Sequence, residues 1–202
     1  MFKLNIKKFT IGEFETNSYL LIREKKAILI DCPGMSEIIN YCMNNSIKIE
    51  KIILTHSHYD HIYGLKKRGD IPFGCYKDEV EFLLNPYLNL SEYFGENISI
   101  KPDFIIDSDF EFCGKIIRVI HTPGHTKGSV SYLIDDKIFT GDTVFSNGIG
   151  RVDFPGGSID EIKKSIKEKI LTLPDKTEVF PGHGENTTIG EVRKWLMNLL
   201  NI

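Results

Sequence analysis

Short runs of apolar residues, most of them of strand length, alternate with polar segments along this chain. Phe2 to Phe9 alternates apolar and polar side chains, which is typical of a half-exposed strand. Asn17 to Ile22 and Ala27 to Asp31 predict two further strands, and apolar residues at helical spacing predict a helix over residues 35–45. Lys51 to Leu54 would follow as the next strand. The strand–helix–strand order favours parallel pairing within a larger sheet.

The rest of the chain continues with short elements. Strands are expected over residues 73–76, 104–106, 110–112, 115–120, 130–134, 138–140 and 177–180. Helices are expected over residues 62–67, over 77–84, from near Ser158, and over 189–201 with Val192, Trp195, Leu196, Leu199 and Leu200 on one face. Residues 85–99 show no clear period. They could be a functional lid or a surface connection packed by its own aromatic side chains.

Four of the predicted strands end in residue types that bind metals. In chain order these residues are His56, His58, Asp60 and His61, then His125, then Asp142, and finally His183. Residues two apart in an extended segment point the same way, so His56 and His58 can reach one metal together. Asp60 and the adjacent His61 would diverge unless the chain bends at Tyr59–Asp60, and such a bend would aim both side chains at a second point nearby. Imidazole and carboxylate groups suit zinc, iron or manganese better than calcium or magnesium.

The alternative for the first cluster is a polar loop with surface histidines. Three of the six histidines in the chain fall within six positions there, beside an aspartate and directly after an apolar run. Metal sites are built from such clusters, so the metal-binding interpretation is favoured.

The pattern of His56, His58, Asp60 and His61 resembles the signature of the metallo-β-lactamase superfamily. The segments 122–126 (TPGHT), 139–143 (FTGDT) and 150–157 (GRVDFPGG) extend the resemblance to its glyoxalase II-like branch over nearly the full length. The resemblance implies an α/β fold, a four-layer αββα sandwich with the metal site at one edge. It also implies a single domain over residues 1–202, without the C-terminal helical extension of full-length glyoxalase II that helps to hold glutathione.

The resemblance further implies a ligand set for two divalent metal ions, zinc first, with iron or manganese as alternatives. His56, His58 and His125 would hold one ion, and the second would be held by Asp60, His61 and His183. Asp142 would bridge both ions, and Asp60 would also orient the attacking water or hydroxide. Such a bridging carboxylate offsets the repulsion between two nearby cations.

Four further residues lie close to this set in the sequence. Asp31 resembles the family's aspartate that hydrogen-bonds a ligand histidine, although it could also be a plain turn residue. His121 lies four positions before His125, and the family pattern makes His125 the ligand, so we expect a structural or supporting role for His121. Arg151 and Asp153 could contact a substrate, but we expect them to form an ion pair with each other.

The activity implied by the resemblance is metal-dependent hydrolysis by a hydroxide held at a dinuclear site, on a thioester such as a hydroxyacylglutathione. One alternative is a persulfide dioxygenase, because such enzymes share the metal motifs but use a single iron. A second alternative is a non-enzymatic metal-binding protein. A complete set of seven convergent ligands argues against that second alternative.

The composition fits an ordinary globular protein that acts on a small molecule. Of the 202 residues 41% are hydrophobic and 26% charged, with a net charge of −3 and a pI of about 6.1. These values do not indicate a nucleic-acid or membrane partner, and a monomer or homodimer is expected. Four scattered cysteines without a C-x-x-C pair favour a reduced, cytoplasmic protein. The N-terminus lacks the apolar core of a signal peptide, which disfavours the β-lactam hydrolysis of secreted lactamases.

Overall fold

Residues 4–200 are described by a computed structural model, with side chains through residue 196. They divide into two compact units, one ending at Ile105 and the other beginning at Ile106. The predictions for Phe2, for residue 201 and for the side chains of Leu199 and Leu200 lie outside the described residues.

The first unit, as far as it is described, is built on a six-stranded sheet whose strands lie in sequence order. The strands are β1 (Asn5–Ile11), β2 (Thr16–Arg23), β3 (Lys26–Ile30), β4 (Lys48–Ile53), β5 (Phe73–Tyr76) and β6 (Phe104–Ile106). The helices are α1 (Ser36–Asn44), α2 (Tyr59–Ile62) and α3 (Val80–Leu84). Short 3₁₀ turns cover Tyr63–Lys67, Lys77–Glu79 and Ser91–Phe94.

The parallel pairing of β3 with β4 positions the first histidine cluster. Ile30 at the end of β3 pairs with Ile53 at the end of β4, as the strand–helix–strand order predicts. Apolar residues of both strands, such as Leu29 and Ile52, are fully buried in the core of this unit. The carboxyl ends of two parallel strands emerge at one edge of a sheet. Asp31 and the segment after Leu54 therefore begin side by side on a rigid base.

The second unit has its own six-stranded sheet among the described residues, ordered β12-β11-β10-β9-β8-β7. Its strands are β7 (Phe110–Phe112), β8 (Lys115–His121), β9 (Val130–Ile134), β10 (Lys137–Gly141), β11 (Glu178–Pro181) and β12 (Thr187–Thr188). The helices are α4 (Ile159–Ser165), which continues as a π-helical turn over Ile166–Ile170, and α5 (Ile189–Leu200). β10 and β11 are parallel, and β8 runs in the same direction because both β8 and β10 are antiparallel to β9.

Helix α4 packs on this sheet through an apolar face that its sequence predicts. Ser158 caps the helix by accepting a hydrogen bond from the Glu161 backbone N–H, a usual N-cap arrangement. Ile162 and Ile166 are fully buried in the core of the unit, together with Val192 of α5. The helix face thereby holds the sheet whose strand ends carry the second group of predicted ligands.

Three details differ from the predicted elements. Residues 77–84, expected as one helix, form a 3₁₀ turn over Lys77–Glu79 followed by α3. Residues 63–67 form a 3₁₀ turn after a four-residue helix, where one helix over 62–67 was expected. The two-residue strand β12 was not expected, because a run of two residues is too short to show a period.

Residues 85–99 form a connection that is braced from inside. The fully buried Asn89 donates its side-chain amide to the backbone carbonyls of Phe82 and Ile98, at 2.9 and 2.8 Å. The Ile98 backbone N–H in turn donates to the hydroxyl of the buried Ser91, at 3.0 Å. Of the two alternatives for this segment, these contacts favour a packed surface connection.

The cysteines and the helices relate to two expectations from the composition, namely reduced cysteines and no membrane partner. All four cysteines lie in the described part of the chain and are free thiols. Burial raises the pKa of the Cys32, Cys42 and Cys75 thiols. Within residues 4–200 we find no helix with the length and apolar character needed to cross a membrane.

Candidate metal centre

The cluster after β4 bends where the sequence predicts. His58 is still extended (φ −67°, ψ 151°), and α2 begins at Tyr59. The bend turns Asp60 and His61 back, so that each offers a ligand atom within 4.8 Å of the other. The same limit holds between His56 and His58 and between His56 and His61. All three histidines are buried, which leaves their rings little freedom to reorient.

Asp31 orients His61 from the end of β3. Its backbone adopts a left-handed conformation (φ 58°), and its side chain is buried. One carboxylate oxygen accepts from the Thr55 backbone N–H at 2.7 Å, and the other lies 2.9 Å from His61 Nδ1. An ionised carboxylate is an acceptor only, so Nδ1 carries the hydrogen and Nε2 keeps a lone pair for a metal. The hydrogen bond expected between Asp31 and a predicted ligand histidine is therefore present.

Thr55 links Asp31 to His56 by hydrogen bonds and so helps to orient the His56 ring. The Thr55 hydroxyl donates its one hydrogen to Asp31 Oδ2 at 2.8 Å, and the Thr55 Oγ1 atom also lies 3.1 Å from His56 Nδ1. Since that hydrogen is committed to the carboxylate, His56 Nδ1 must be the donor of the second contact. His56 Nε2 therefore also carries a lone pair that can bind a metal. One buried carboxylate thus orients two of the predicted ligands.

Asp60 is held by a residue that the sequence did not single out. Its Oδ2 atom accepts a hydrogen bond from the Thr16 hydroxyl at 2.8 Å and lies 3.5 Å from His61 Nε2. Thr16 is the first residue of β2 and is fully buried. The Tyr59 backbone N–H donates to the Asn89 carbonyl at 2.7 Å, which fixes the start of α2.

The second unit brings together the three predicted ligands that follow its strands. Asp142 Oδ2 lies 3.6 Å from His125 Nε2 and 3.5 Å from His183 Nε2. The exposed fractions of the side chains rise from 4% for His125 through 11% for Asp142 to 28% for His183. β8, β10 and β11 end at the same edge of their sheet, so these three side chains meet although they lie far apart in the sequence.

His125 is oriented by the backbone. Its Nδ1 atom lies 2.7 Å from the carbonyl oxygen of Arg151. A carbonyl only accepts, so Nδ1 donates and Nε2 keeps its lone pair. Gly150 permits this contact, because a Cβ atom there would lie 1.8 Å from the Asp142 carbonyl oxygen and 3.0 Å from His125 Nδ1. Gly124 (φ 136°) similarly leaves no room for a side chain, since its Cβ would lie 2.2 Å from the Ile162 nitrogen.

Buried hydroxyl groups tie the loops of the second unit together. The Thr143 hydroxyl donates to the Thr122 hydroxyl at 3.1 Å, and Thr122 lies 3.2 Å from the Ser131 hydroxyl. Thr126 and Ser129 pair through their hydroxyls at 2.7 Å. All five residues are buried, so each hydrogen bond is formed away from competing water. The loops that bear His125 and Asp142 are thereby joined to strand β9.

The roles expected of His121, Arg151 and Asp153 are confirmed. His121 Nε2 lies 2.8 Å from the carbonyl oxygen of Lys127, so the ring supports the loop around His125. The Arg151 guanidinium binds the Asp153 carboxylate through two hydrogen bonds of 3.0 and 2.6 Å, and both side chains are exposed. The bond to Arg151 lowers the pKa of Asp153. The guanidinium also lies 4.2 Å from the ring centre of Phe154.

Three groups that orient predicted ligands were missed by sequence reasoning. They are the hydroxyls of Thr16 and Thr55 and the backbone carbonyl of Arg151. Thr55 left a usable signal, because it follows a strand and directly precedes a predicted ligand. A backbone carbonyl leaves no signal in a sequence, since every residue has one.

Comparison with known sequences places these residues in a family context. Residues 11–183 match the family model of the metallo-beta-lactamase superfamily. The probable metallo-hydrolase YqgX of Bacillus subtilis is 36% identical over 193 residues, which cover 91% of this chain and 92% of the relative. The hydroxyacylglutathione hydrolase GloC of Haemophilus influenzae is 32% identical over 206 residues, covering 95% of this chain and 96% of GloC.

Solved structures agree with the sequence comparison. The BLEG-1 B3 metallo-beta-lactamase superposes with a TM-score of 0.87 and 33% identity, covering 96% of this chain and 97% of that structure. TTHA1623 in a di-iron-bound form superposes with a TM-score of 0.79 and 28% identity, covering 92% and 96%. These matches confirm the predicted resemblance and the predicted metallo-β-lactamase fold.

Proposed function

Because the chain belongs to the metallo-β-lactamase superfamily, we propose that it is a hydrolase with two divalent metal ions, zinc in the first place. His56, His58 and His125 would hold one ion, and Asp60, His61 and His183 the other. Asp142 would bind both. This division of the ligands follows the family pattern, and the single-domain organisation over residues 1–202 is proposed on the same basis.

The observation that carries the proposal is the shared orientation of three of the histidines. His56, His61 and His125 each donate Nδ1–H to a fixed oxygen acceptor, at 3.1, 2.9 and 2.7 Å respectively. A metal-binding histidine typically donates its other ring nitrogen in this way. Imidazole nitrogens with carboxylate oxygens form the donor set that zinc, iron and manganese accept. The residues present therefore fit the metals that the family implies.

Bound metals would supply a water acidic enough to act as a nucleophile near neutral pH and a Lewis acid for a carbonyl oxygen. The protein positions the donors: Thr16 and the bend at α2 hold Asp60, and Asp31 with Thr55 holds the neighbouring rings. The net reaction adds water across the acyl C–S bond and gives a carboxylic acid and a thiol. A thiolate is a good leaving group, so no separate general acid is required of the protein.

We propose a thioester of the hydroxyacylglutathione type as the substrate, because GloC is similar over nearly the whole of both chains. The test is metal analysis by mass spectrometry on protein purified without chelators, followed by a thioester panel that begins with lactoylglutathione. About two metals per chain with metal-dependent thiol release would support the proposal. Two metals per chain without hydrolysis of any thioester would overturn the substrate class.

One iron per chain would instead favour the persulfide dioxygenase alternative. Oxygen uptake with glutathione persulfide, measured on the same preparation, distinguishes that outcome from thioester hydrolysis. Metal-loaded protein inactive in every assay would favour a non-enzymatic metal-binding role.

A β-lactam amide is a second candidate substrate, and it is favoured by the similarity to BLEG-1. Its hydrolysis would use the same ligands on a strained amide carbonyl. Nitrocefin added to the metal-loaded protein tests it directly. Turnover of nitrocefin at a kcat/KM above that of every thioester would make the β-lactam the preferred substrate.

A further inference from the structure

An aromatic cluster in the first unit is not explained by the fold or by the ligand set. Phe14 lies at the tip of the β1–β2 hairpin, and Phe94 lies in the 3₁₀ turn of the 85–99 connection. The Tyr59 and Phe94 rings are stacked with their centres 4.9 Å apart, and Phe14 meets Phe94 edge-on at 5.1 Å. Tyr63 lies 5.3 Å from Tyr59. Phe14, Tyr63 and Phe94 are 44%, 39% and 49% exposed, so a substantial apolar surface faces solvent.

The cluster borders a cleft that reaches one of the proposed ligands. The cleft has a volume of about 300 Å³, and Phe14, Tyr59, Tyr63, Thr16 and Asp60 are among its lining residues. An apolar cavity of about 150 Å³ is already large enough to bind benzene. The cleft therefore has room for one aromatic ring and its linker beside the carboxylate of Asp60.

The charged residue Glu13 on the cleft wall favours an uncharged occupant over an anionic one. Among the described residues that line it, the ionisable carboxyl groups are Glu13 and Asp60, and no lysine or arginine contributes to the lining. Lys66 lies near the rim, 5.7 Å from the centre of the Tyr63 ring, but it forms an ion pair with Glu96. Because Asp60 is proposed to bind a metal ion, Glu13 is the like charge that a carboxylate-bearing group would meet at this wall, whereas an uncharged ring would meet aromatic faces.

The backbone holds this wall in place. Gly12 (φ 78°) and Glu15 (φ 51°) are both left-handed, and the Glu15 N–H donates to the Gly12 carbonyl at 3.1 Å, which closes the hairpin turn that presents Phe14. The Tyr59 N–H donates to Asn89, whose side chain is itself fixed by two backbone carbonyls. Exposed aromatic groups fixed in this way are typical of a ligand-binding surface.

We propose that this cleft binds an uncharged apolar acyl group, preferably an aryl or arylalkyl group, of the ester or thioester that the enzyme hydrolyses. The proposal rests on the proposed hydrolase function, because it places the scissile carbonyl next to Asp60. It makes Phe14, which lines the cleft, a specificity-determining residue, and it makes Phe94, which stacks on the lining residue Tyr59, a positioning residue. Within the proposed hydroxyacyl thioester class, it favours acyl groups that carry an aryl ring over the lactoyl group, which is small and polar.

The test compares two neutral thioesters of N-acetylcysteamine on the metal-loaded full chain. We expect kcat/KM for the phenylacetyl thioester to exceed that for the acetyl thioester by about tenfold or more, in line with the burial of one ring. In F14A and F94A this preference should fall by about tenfold, mainly through KM, and the acetyl thioester should lose much less. Tyr87→Ala is the matched control, because Tyr87 is 49% exposed, like Phe94, but its ring contacts Tyr93, whereas Phe94 stacks on Tyr59 of the cleft wall. It should leave both rates unchanged.

The outcomes separate the two proposals. If both thioesters are hydrolysed equally well, or if F14A and F94A keep the wild-type preference, the acyl-binding assignment is overturned and the hydrolase function stands. If neither is hydrolysed by metal-loaded protein, the hydrolase function fails. Calorimetry with neutral phenylacetamide then tests separately whether the cleft binds an uncharged aryl group. Loss of that binding in F14A supports the cleft, and its persistence overturns it. A wild-type dimer that becomes a monomer in F14A would assign the cluster to self-association instead.

Discussion

The two units hold their predicted ligands by different means. In the first unit the ligands are neighbours in the sequence, and side chains orient them: Asp31 binds His61 directly and reaches His56 through Thr55. In the second unit the ligands come from three strand ends, and the backbone orients His125 through the carbonyl of Arg151. One arrangement depends on particular side-chain groups, and the other depends on the path of the chain.

The difference predicts which substitutions each unit tolerates. A side-chain relay fails when a hydroxyl or a carboxylate is replaced, whatever the backbone does. A hydrogen bond to a backbone carbonyl does not depend on the side chain of the residue that supplies the carbonyl. It is lost, however, when the loop is displaced. Replacements that affect only one of these two cases therefore test whether the units differ in this way.

Removing a predicted ligand from either unit should have the largest effect. His58→Ala and Asp142→Ala should each remove at least one metal equivalent and lower kcat/KM by about 10³-fold or more, because the proposed metals would supply the nucleophile and polarise the carbonyl. Metal content by mass spectrometry and steady-state kinetics check this. His121→Ala is the comparison variant: the His121 ring bonds the Lys127 carbonyl in the loop around His125, so this variant should retain both metals and lose less affinity than either ligand variant. Full activity with full metal content in either ligand variant would contradict the assignment.

The backbone arrangement of the second unit is tested at its glycines. Gly150→Ala places a Cβ 1.8 Å from the Asp142 carbonyl oxygen, so the loop must shift and the His125–Arg151 contact must lengthen. We expect a loss of stability of about 1–3 kcal/mol and a clear drop in metal affinity. Gly148→Ala is the matched control, because its Cβ would lie 3.8 Å from Phe145, which is ordinary contact. Urea denaturation and chelator competition measure both, and equal behaviour of the two variants would show that the close approach is unimportant.

The side-chain relay of the first unit is tested at Thr55. Thr55→Val keeps the shape but removes the hydroxyl that donates to Asp31 and accepts from His56. We expect metal affinity to fall about 10–100-fold, as for other groups that orient ligand histidines, and stability to fall by about 1–3 kcal/mol. Thr55→Ser restores the hydroxyl and should recover most of the affinity. If the valine variant binds metal as the wild type does, the hydroxyl does not orient His56.

The same difference explains how much could be predicted from the sequence. The cluster from His56 to His61 was predictable because its residue types stand together after an apolar strand, and the bend at Tyr59 followed from the need to turn two adjacent side chains to one side. The second group was predictable as a set of strand ends. The pairing of its members was implied by the family pattern, and the topology of β8, β10 and β11 supplies the physical reason within the unit.

What the sequence could not show was the set of groups that orient the ligands. Thr16 precedes Asp60 by 44 positions, and nothing in the local pattern links the two residues. The carbonyl of Arg151 is a backbone group, and the notable feature of that residue in the sequence is its charge. The charge is satisfied by Asp153, at a place where the carbonyl does the orienting. Tertiary contacts of this kind are set by the chain path, which periodicity does not encode.

Substitution of Arg151 should have the smallest effect, because its backbone carbonyl contacts His125 and its guanidinium group binds Asp153. Arg151→Ala removes an exposed ion pair that is screened by salt, yet it keeps the carbonyl that accepts from His125. We expect metal content and kcat/KM within about twofold of the wild type, and no measurable change in the thermal midpoint at 0.15 M salt, a physiological ionic strength. Asp153→Ala should behave in the same way. A tenfold rise in KM in Arg151→Ala alone, with metal content intact, would show instead that the guanidinium contacts the substrate.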